Sequence, residues 1–290
     1  MQWLIFWLVY PILWLISKLP FWLFYKVSDC VYFLVYYIVG YRKKTVRQNL
    51  NLAFPDKSPA EKKRIEKRFY SHMCDMFLEM IKSISISKKE LDRRVTFTNL
   101  EVLRKLEAQN RSVLLIIGHY ATYEWLIALQ FHFDYTGYGI YKKIKSKPFD
   151  KLVHDLRSRW NAKLLTNKEA MHVIAKHKQQ GIMSTYGFIA DQSPKSASSH
   201  HFVPFFGYEV PFFTGVERLA KKLDMPVLHL KATKVKRGFY EATFKLLSDE
   251  PRTVPDYEIT DAFVHELEEQ IKNAPEYYLW THKRFKHIRY

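Results

Sequence analysis

A chain of 290 residues can bury a sizeable core as one large domain or two small ones, and its formal net charge of +17 directs it toward anionic partners: a membrane surface, a phosphorylated ligand, an acidic protein or nucleic acid. Two cysteines, Cys30 and Cys74, exclude a disulfide framework and a cysteine metal cluster, and they suit a reducing compartment. With only nine glycines and no glycine-rich run, a phosphate-cradling loop is excluded as well.

Residues 1–41 differ from the rest. Gln2, Lys18, Lys26 and Asp29 are almost the only strongly polar residues there, and Pro11 and Pro20 interrupt the apolar runs. Trp3, Trp7, Trp14 and Trp22, four of the chain's seven tryptophans, fit an interfacial aromatic belt. No basic segment or small-residue cleavage site marks a removable signal, so the stretch reads as a membrane anchor that crosses the bilayer or lies in its interface. Its structural alternative is a helical hairpin packed on the globular body. Arg42, Lys43, Lys44 and Arg47 follow at once, and the positive-inside bias puts the body in the cytoplasm.

Residues 42–110 read as a helical region. Ser58-Pro-Ala-Glu61 is a capping box with proline at the first helical position. Ile65, Phe69, Met73, Phe77 and Met80 then recur at helical spacing, opposite a basic face of Lys62, Lys63, Arg64, Lys67 and Arg68. His72 and Glu79 read as structural.

From residue 111 to 290, short apolar strands alternate with helices, the signature of an α/β layered domain. Strands are predicted near 113–118, 137–142, 182–190, 226–233 and 239–246. Helices are predicted near 122–131, 148–160, 168–179, 213–223 and 259–273.

Val113 to Ile117 is too short for a helix and reads as a strand buried on both faces, ended by Gly118 with His119 at its tip. On one continuous helix, His119 and Glu124 would point about 140° apart. With the histidine at a strand end and the glutamate in the first helical turn they can meet, as a general base and its orienting carboxylate must. The competing explanation is a polar strand cap near an acid favoured by the helix dipole. In the helix from Pro148, Arg157 and Arg159 flank the buried stripe at similar angles, so periodicity does not decide which turns inward to meet a phosphate. Asp191, in Ile189-Ala-Asp-Gln192-Ser-Pro194, ends a strand and would share the rim with His119, or else simply starts a turn. Phe202 to Gly207 reads as an apolar loop, either a wall for a hydrophobic ligand or core. His200 and His201 are no metal pair, since adjacent residues on a strand point to opposite faces. The C-terminal segment mixes aromatic and basic residues, but the concentration of aromatics in the N-terminal apolar stretch favours bilayer over bases, so nucleic acid is not expected.

These residues resemble a known family. Arg47-Gln-Asn49-Leu-Asn-Leu-Ala-Phe-Pro55, His119-x-x-x-x-Glu124, Arg157-Ser-Arg159-Trp-Asn161, Ala190-Asp191-Gln192, Phe202-Val-Pro-Phe-Phe-Gly207 and Pro275-Glu-x-Tyr-x-Trp280-x-His-x-Arg284-Phe-Lys286, in this order, resemble the late acyltransferases of lipid A biosynthesis in the lysophospholipid acyltransferase superfamily. The resemblance implies a mixed sheet flanked by helices and an inner-membrane enzyme facing the cytoplasm. It implies transfer of a fatty acyl chain from acyl carrier protein to a hydroxyl on an acyl chain of a lipid A precursor. His119 and Glu124 would be the catalytic pair, with Arg157, Arg159, Asp191 and Gln192 as substrate-binding residues. No metal and no cofactor beyond the acyl carrier protein co-substrate is implied. Tyr141-Lys142-Lys143 stands where the family often has Tyr-Arg-Pro, and Asn161 where a glycine often follows the paired arginines, a position suited to left-handed backbone. The chemistry agrees: a thioester is already activated, so a base for the hydroxyl, donors for the oxyanion (backbone N–H groups after His119 are candidates) and an apolar groove suffice. The alternatives are an acyltransferase for another glycolipid or lysophospholipid, and a non-catalytic basic membrane-binding scaffold.

Overall fold

The strand Val113–Ile117 lies in the middle of a seven-stranded mixed sheet, with a neighbour hydrogen-bonded on each side. That placement explains its unbroken aliphatic sequence, because both faces are covered. The computed structural model describes residues 1–194 and 201–289. In chain order the elements are α1 (Gln2–Lys18), α2 (Phe21–Phe33), α3 (Lys43–Ala53), α4 (Pro59–Lys82), α5 (Lys88–Arg94), β1 (Val95–Thr98), α6 (Leu100–Ala108), β2 (Val113–Ile117), β3 (Thr136–Tyr141), α7 (Lys147–Arg157), β4 (Lys163–Thr166), α8 (Ala170–Gln179), β5 (Ser184–Ile189), β6 (His201–Phe205), β7 (Tyr208–Phe212), α9 (Gly215–Leu223), β8 (Val227–Lys236), β9 (Phe239–Ser248) and α10 (Glu258–Asn273). The sheet order is β1-β9-β8-β2-β5-β3-β4, parallel throughout except at the β8–β9 hairpin.

The α/β layering is as expected, with differences of detail. The sheet begins before residue 111, since β1 pairs with β9 at one edge. At the other edge β4 adds a strand that the pattern around residue 163 did not announce. Phe202 to Gly207 forms most of β6 and the turn into β7, a hairpin in which Val203, Phe205, Val210 and Phe212 are buried. Those side chains belong to the core and line no described cavity wall beside the site. His200 lies outside the described residues.

The N-terminal helices rest on this body. Ser58 and Glu61 exchange the reciprocal capping-box bonds, and α4 then runs 24 residues. Ile65, Phe69 and Met73 are buried along it, whereas Phe77 is 47% exposed. The stripe departs from the apolar pattern because α4 turns charged residues inward to meet α2. Tyr25 donates to Glu79 (2.8 Å), Ser28 to Asp75 (2.7 Å) and Tyr36 to Glu66 (3.0 Å), and Arg237 bonds both Asp29 and Asp75. The α2 helix and its continuation to Val39 are long and apolar enough to cross a membrane. Their polar face is nevertheless paired with α4 along its length. Helix α1 touches the body at both ends: Lys82 and Ser85 donate to the Ser17 carbonyl, and Phe6 packs edge-on against Phe149 of α7. Around these contacts it exposes Trp3, Leu4, Ile5, Trp7, Leu8 and Ile12.

Candidate active site

Strands β2 and β5 are parallel neighbours in a register that pairs Ile117 with Ile189. Two residues further on, each chain places one polar side chain beside the other: His119 after β2, Asp191 after β5. His119 Nδ1 lies 2.5 Å from Asp191 Oδ1, and the His119 backbone N–H donates to Asp191 Oδ2 at 3.0 Å. The carboxylate is 2% exposed. Burial favours its neutral form, yet the His119 charge and hydrogen bonds, with the Arg284 guanidinium, hold it below the usual aspartate value. For the imidazole the contest runs the other way. Burial would lower its pKa, but the charge and hydrogen bond of Asp191, and the charge of Glu124 behind them, outweigh burial and the opposing Arg157, so it is raised. With an ionised carboxylate at Nδ1, that nitrogen carries the proton and Nε2 keeps its lone pair. Gln192 Nε2 approaches this free nitrogen at 3.3 Å from the exposed rim.

The turn after His119 is held in place by the C-terminal segment. Leu279 N–H donates to the His119 carbonyl at 3.1 Å, and Ala121 N–H donates to the Tyr277 carbonyl at 2.9 Å. Ala121 has φ +50°, a left-handed conformation that a residue with a Cβ adopts only under constraint. Its carbonyl lies 2.9 Å from His72 Nε2, whose ring is kept neutral by burial and by the nearby Lys234. On the other strand, Arg284 donates to the Asp191 carbonyl at 3.1 Å, and Ser193 N–H donates to His282 Nε2 at 2.8 Å. The mixture of aromatic and basic residues near the C-terminus is therefore a clamp on both halves of the His119–Asp191 pair. Arg284 and His282 are supporting residues that sequence reasoning did not single out, although the Trp280-x-His-x-Arg284 spacing was visible.

Glu124 is placed differently from the expectation. It is the residue before a 3-10 helix, Trp125–Phe131, and its carboxylate accepts two bonds from Arg157, at 2.9 Å and 2.5 Å, with no hydrogen bond to His119. The partner that fixes the imidazole is Asp191. The reason is local: the chain between Gly118 and Glu124 does not enter an α-helix, so the acid swings toward α7. Arg157 is the arginine that turns inward. Helix α7 ends there: Ser158 (φ −94°, ψ 6°) departs from helical backbone and carries Arg159 off the helix, and Trp160 and Asn161 follow in left-handed conformation (φ +59° and +67°). Arg159 instead donates to the Ser83 and Ile86 carbonyls, the latter at 3.2 Å, and so ties α7 to the end of α4.

Glu124 and Arg157 stand at one end of an apolar cavity of about 160 Å³. Its walls include Leu115, Ile117, Leu126, Leu129 and Leu164, and Gly137, Gly139 and Gly187 on β3 and β5 make room for it by presenting no side chain. From Ile189 at the carboxyl end of β5 to Thr185 near its start, both lining residues, the cavity follows four residues of strand, roughly 13 Å. His119 adjoins it through Tyr123, a lining residue against which its ring packs edge-on at 5.0 Å. A buried base with a carboxylate partner beside an apolar slot can deprotonate a hydroxyl next to a bound hydrocarbon chain.

A profile of the family described as bacterial lipid A biosynthesis acyltransferase matches residues 1–287. This chain belongs to that family. It is similar to the lipid A biosynthesis lauroyltransferase of Escherichia coli (strain K12), 28% identical over 285 residues that cover 97% of this chain and 90% of that protein. The lipid A biosynthesis palmitoleoyltransferase of the same organism is 22% identical, with the same shares covered. A lipid A biosynthesis acyltransferase of Haemophilus influenzae is 22% identical over 83% of this chain and 76% of that protein. The chain is thus an acyltransferase of lipid A biosynthesis. For an acyltransferase, an apolar slot of this kind is the expected seat of the transferred chain.

Proposed function

We propose that this acyltransferase takes a fatty acyl group from acyl carrier protein and joins it to a hydroxyl on an acyl chain of a lipid A precursor, at the cytoplasmic face of the inner membrane. His119 Nε2 removes the hydroxyl proton as the oxygen attacks the thioester carbonyl. The tetrahedral intermediate collapses with cleavage of the carbon–sulfur bond, and the departing thiolate takes the proton back from the imidazolium. Asp191 keeps Nδ1 protonated and offsets the imidazolium charge, the part first expected of Glu124. Glu124 and Arg157 act as a unit at the cavity end, the acid adding to the basicity of His119 and holding the guanidinium beside the reacting carbonyl. The 2.5 Å contact between His119 and Asp191 carries this reading. The apolar cavity supports it as a place for the donor chain, and the charge of +17 supports a setting of carrier protein, lipid phosphates and anionic headgroups. Arg42, Lys43, Lys44 and Arg47, directly after the anchor, support the cytoplasmic orientation.

The test uses the purified full chain with acyl carrier protein donor and a lipid A precursor. Wild type turns over, and His119→Ala loses roughly 100- to 10,000-fold in rate while keeping its melting temperature and membrane association. Undiminished turnover by the variant would remove the proposed base. Lipid A from a deletion strain lacks one acyl chain by mass spectrometry; an intact pattern points to another membrane acceptor, and no turnover at all to a scaffold.

A further inference from the structure

Ala121 stands between the two halves of the site. His119 comes shortly before it, and Tyr123 and Glu124, which line the cavity, come shortly after, so its backbone sets their spacing. That backbone is left-handed (φ +50°) at a buried residue that is not glycine, and it persists only where neighbours hold it. Its N–H donates to the Tyr277 carbonyl at 2.9 Å, and its carbonyl meets His72 Nε2 at 2.9 Å. The His72 ring packs edge-on against the Tyr277 ring with centroids 4.9 Å apart, so the two supports brace one another.

The other ring nitrogen decides what His72 can do. Lys234 Nζ, on a side chain 8% exposed, lies 3.1 Å from His72 Nδ1. An ammonium only donates, so Nδ1 accepts and carries no proton. The neutral ring then has its single N–H at Nε2, aimed at the Ala121 carbonyl. Burial first, then the charge of Lys234, keeps the ring from taking a second proton. Lys234 is steadied in turn by Asp75, 3.5 Å away and one turn along α4 from His72. Asp75 accepts from Ser28 of α2 and from Arg237, each at 2.7 Å. A histidine buried only for packing needs neither a fixed tautomer nor a charged neighbour. This one has both, and its N–H is directed at the left-handed residue of the catalytic turn.

We propose that His72 is a positioning residue for acyl transfer. As an Nε2–H donor whose tautomer Lys234 fixes, it holds the Ala121 peptide and so aims His119 and the Glu124–Arg157 pair at one reacting carbonyl. This rests on the reading of His119 as the base, and the experiment separates the two.

The full chain is compared with His72→Leu, which keeps bulk without the donor, and with His72→Gln, whose amide nitrogen reaches as far as Nε2 and restores it. His72→Leu lowers kcat roughly 10- to 100-fold, the scale of an ångström-sized misplacement, with KM for donor and acceptor within about twofold of wild type. His72→Gln recovers kcat to within about threefold of wild type. A lower melting temperature with kcat per folded molecule unchanged would make His72 a packing residue and overturn the proposal. A glutamine variant as impaired as the leucine one overturns it too. If His72→Leu does not fold, Lys234→Met keeps the ring without the fixed tautomer: kcat lower by about two- to tenfold supports the proposal, and an unchanged kcat overturns it. Backbone hydrogen–deuterium exchange needs no turnover. In His72→Leu it speeds up in peptides spanning residues 119–124 and 277–279 and keeps its wild-type rate in β2 and β5, while His72→Gln matches wild type throughout. Unchanged exchange over residues 119–124 in His72→Leu overturns the proposal even if activity falls. If wild type does not turn over, or His119→Ala turns over fully, the acyl-transfer reading or its base fails, and exchange still decides whether His72 holds the turn.

Discussion

Asp191 grips His119 twice, once through the ring at Nδ1 and once through the backbone amide of the same residue. One carboxylate thereby sets both the tautomer of the imidazole and the position of its main chain, and its residue is itself held from behind by Arg284 on the Asp191 carbonyl. Parallel pairing of β2 with β5 makes this possible, because residues two beyond a matched pair leave the sheet side by side.

The consequence for Asp191→Asn is specific. The amide occupies the same space but stabilises no imidazolium and no longer fixes the tautomer, so kcat falls roughly 100- to 10,000-fold. The pH profile moves as well. Asp191 is what raises the His119 pKa against burial, so in the variant burial wins and the pKa drops. A base works only when deprotonated, so the acid limb of kcat/KM shifts to lower pH in the residual activity. A profile that keeps its wild-type acid limb would show that another group sets the basicity of His119.

Glu124 and Arg157 yield a second prediction. Each neutralises the other at the end of the cavity, with the carboxylate 7% exposed. Removing either leaves a poorly solvated charge, so Glu124→Gln and Arg157→Gln each damage activity, and the double variant loses less than the sum of the two. The coupling expected in a double-mutant cycle on kcat/KM is about 1–3 kcal/mol. Additive losses would mean that the two residues act separately, with Glu124 serving His119 directly.

What the sequence made legible depended on how local the cause was. The aliphatic run Val113–Ile117, the capping box at Ser58 and the left-handed position at Asn161 all follow from a few adjacent residues, and each takes the expected form. The partner of His119 was settled by strand order, which no local pattern encodes, and so the nearer acid, Glu124, looked like the natural choice. Phe77 was assigned to the buried stripe of α4 because periodicity counts apolar residues, whereas that helix turns Glu66, Asp75 and Glu79 inward to meet Tyr36, Ser28 and Tyr25. Arg157 and Arg159 were separable only because the backbone leaves the helix at Ser158, between the two.

Glu79 gives a prediction about stability. It accepts from the hydroxyls of Tyr25 and Tyr240 (2.8 and 2.7 Å), and burial, against the pull of Lys234 and these hydrogen bonds, pushes its pKa up to about 7. The folded protein therefore holds a proton there that the unfolded chain releases in the ordinary carboxylate range. The native state loses stability as pH rises from that range to about 7. Glu79→Gln removes this contribution, so its melting temperature falls less than that of wild type between pH 5 and pH 7.5. Identical pH dependence in the two proteins would place the titration elsewhere.

Gly187 offers the most direct probe of the cavity. A Cβ built there meets only the Tyr138 carbonyl oxygen at 3.8 Å and Ile117 Cδ1 at 4.0 Å, ordinary contacts, so the strand accepts a side chain at this position. Valine also suits a β-strand, and its methyl groups would project into the slot that Gly187 lines with Thr185 and Ile189. If the slot holds the donor chain, Gly187→Val keeps the fold and its melting temperature but lowers kcat/KM for long acyl donors more than for short ones. The two donors are compared as acyl carrier protein thioesters in the same assay, with the ratio of their kcat/KM values as the readout. A pocket deficit of one or two methylene groups is worth about 1–3 kcal/mol, or roughly 10- to 200-fold in that ratio. A ratio equal to that of wild type would mean that the donor chain lies elsewhere, and the cavity would lose its place in the reaction.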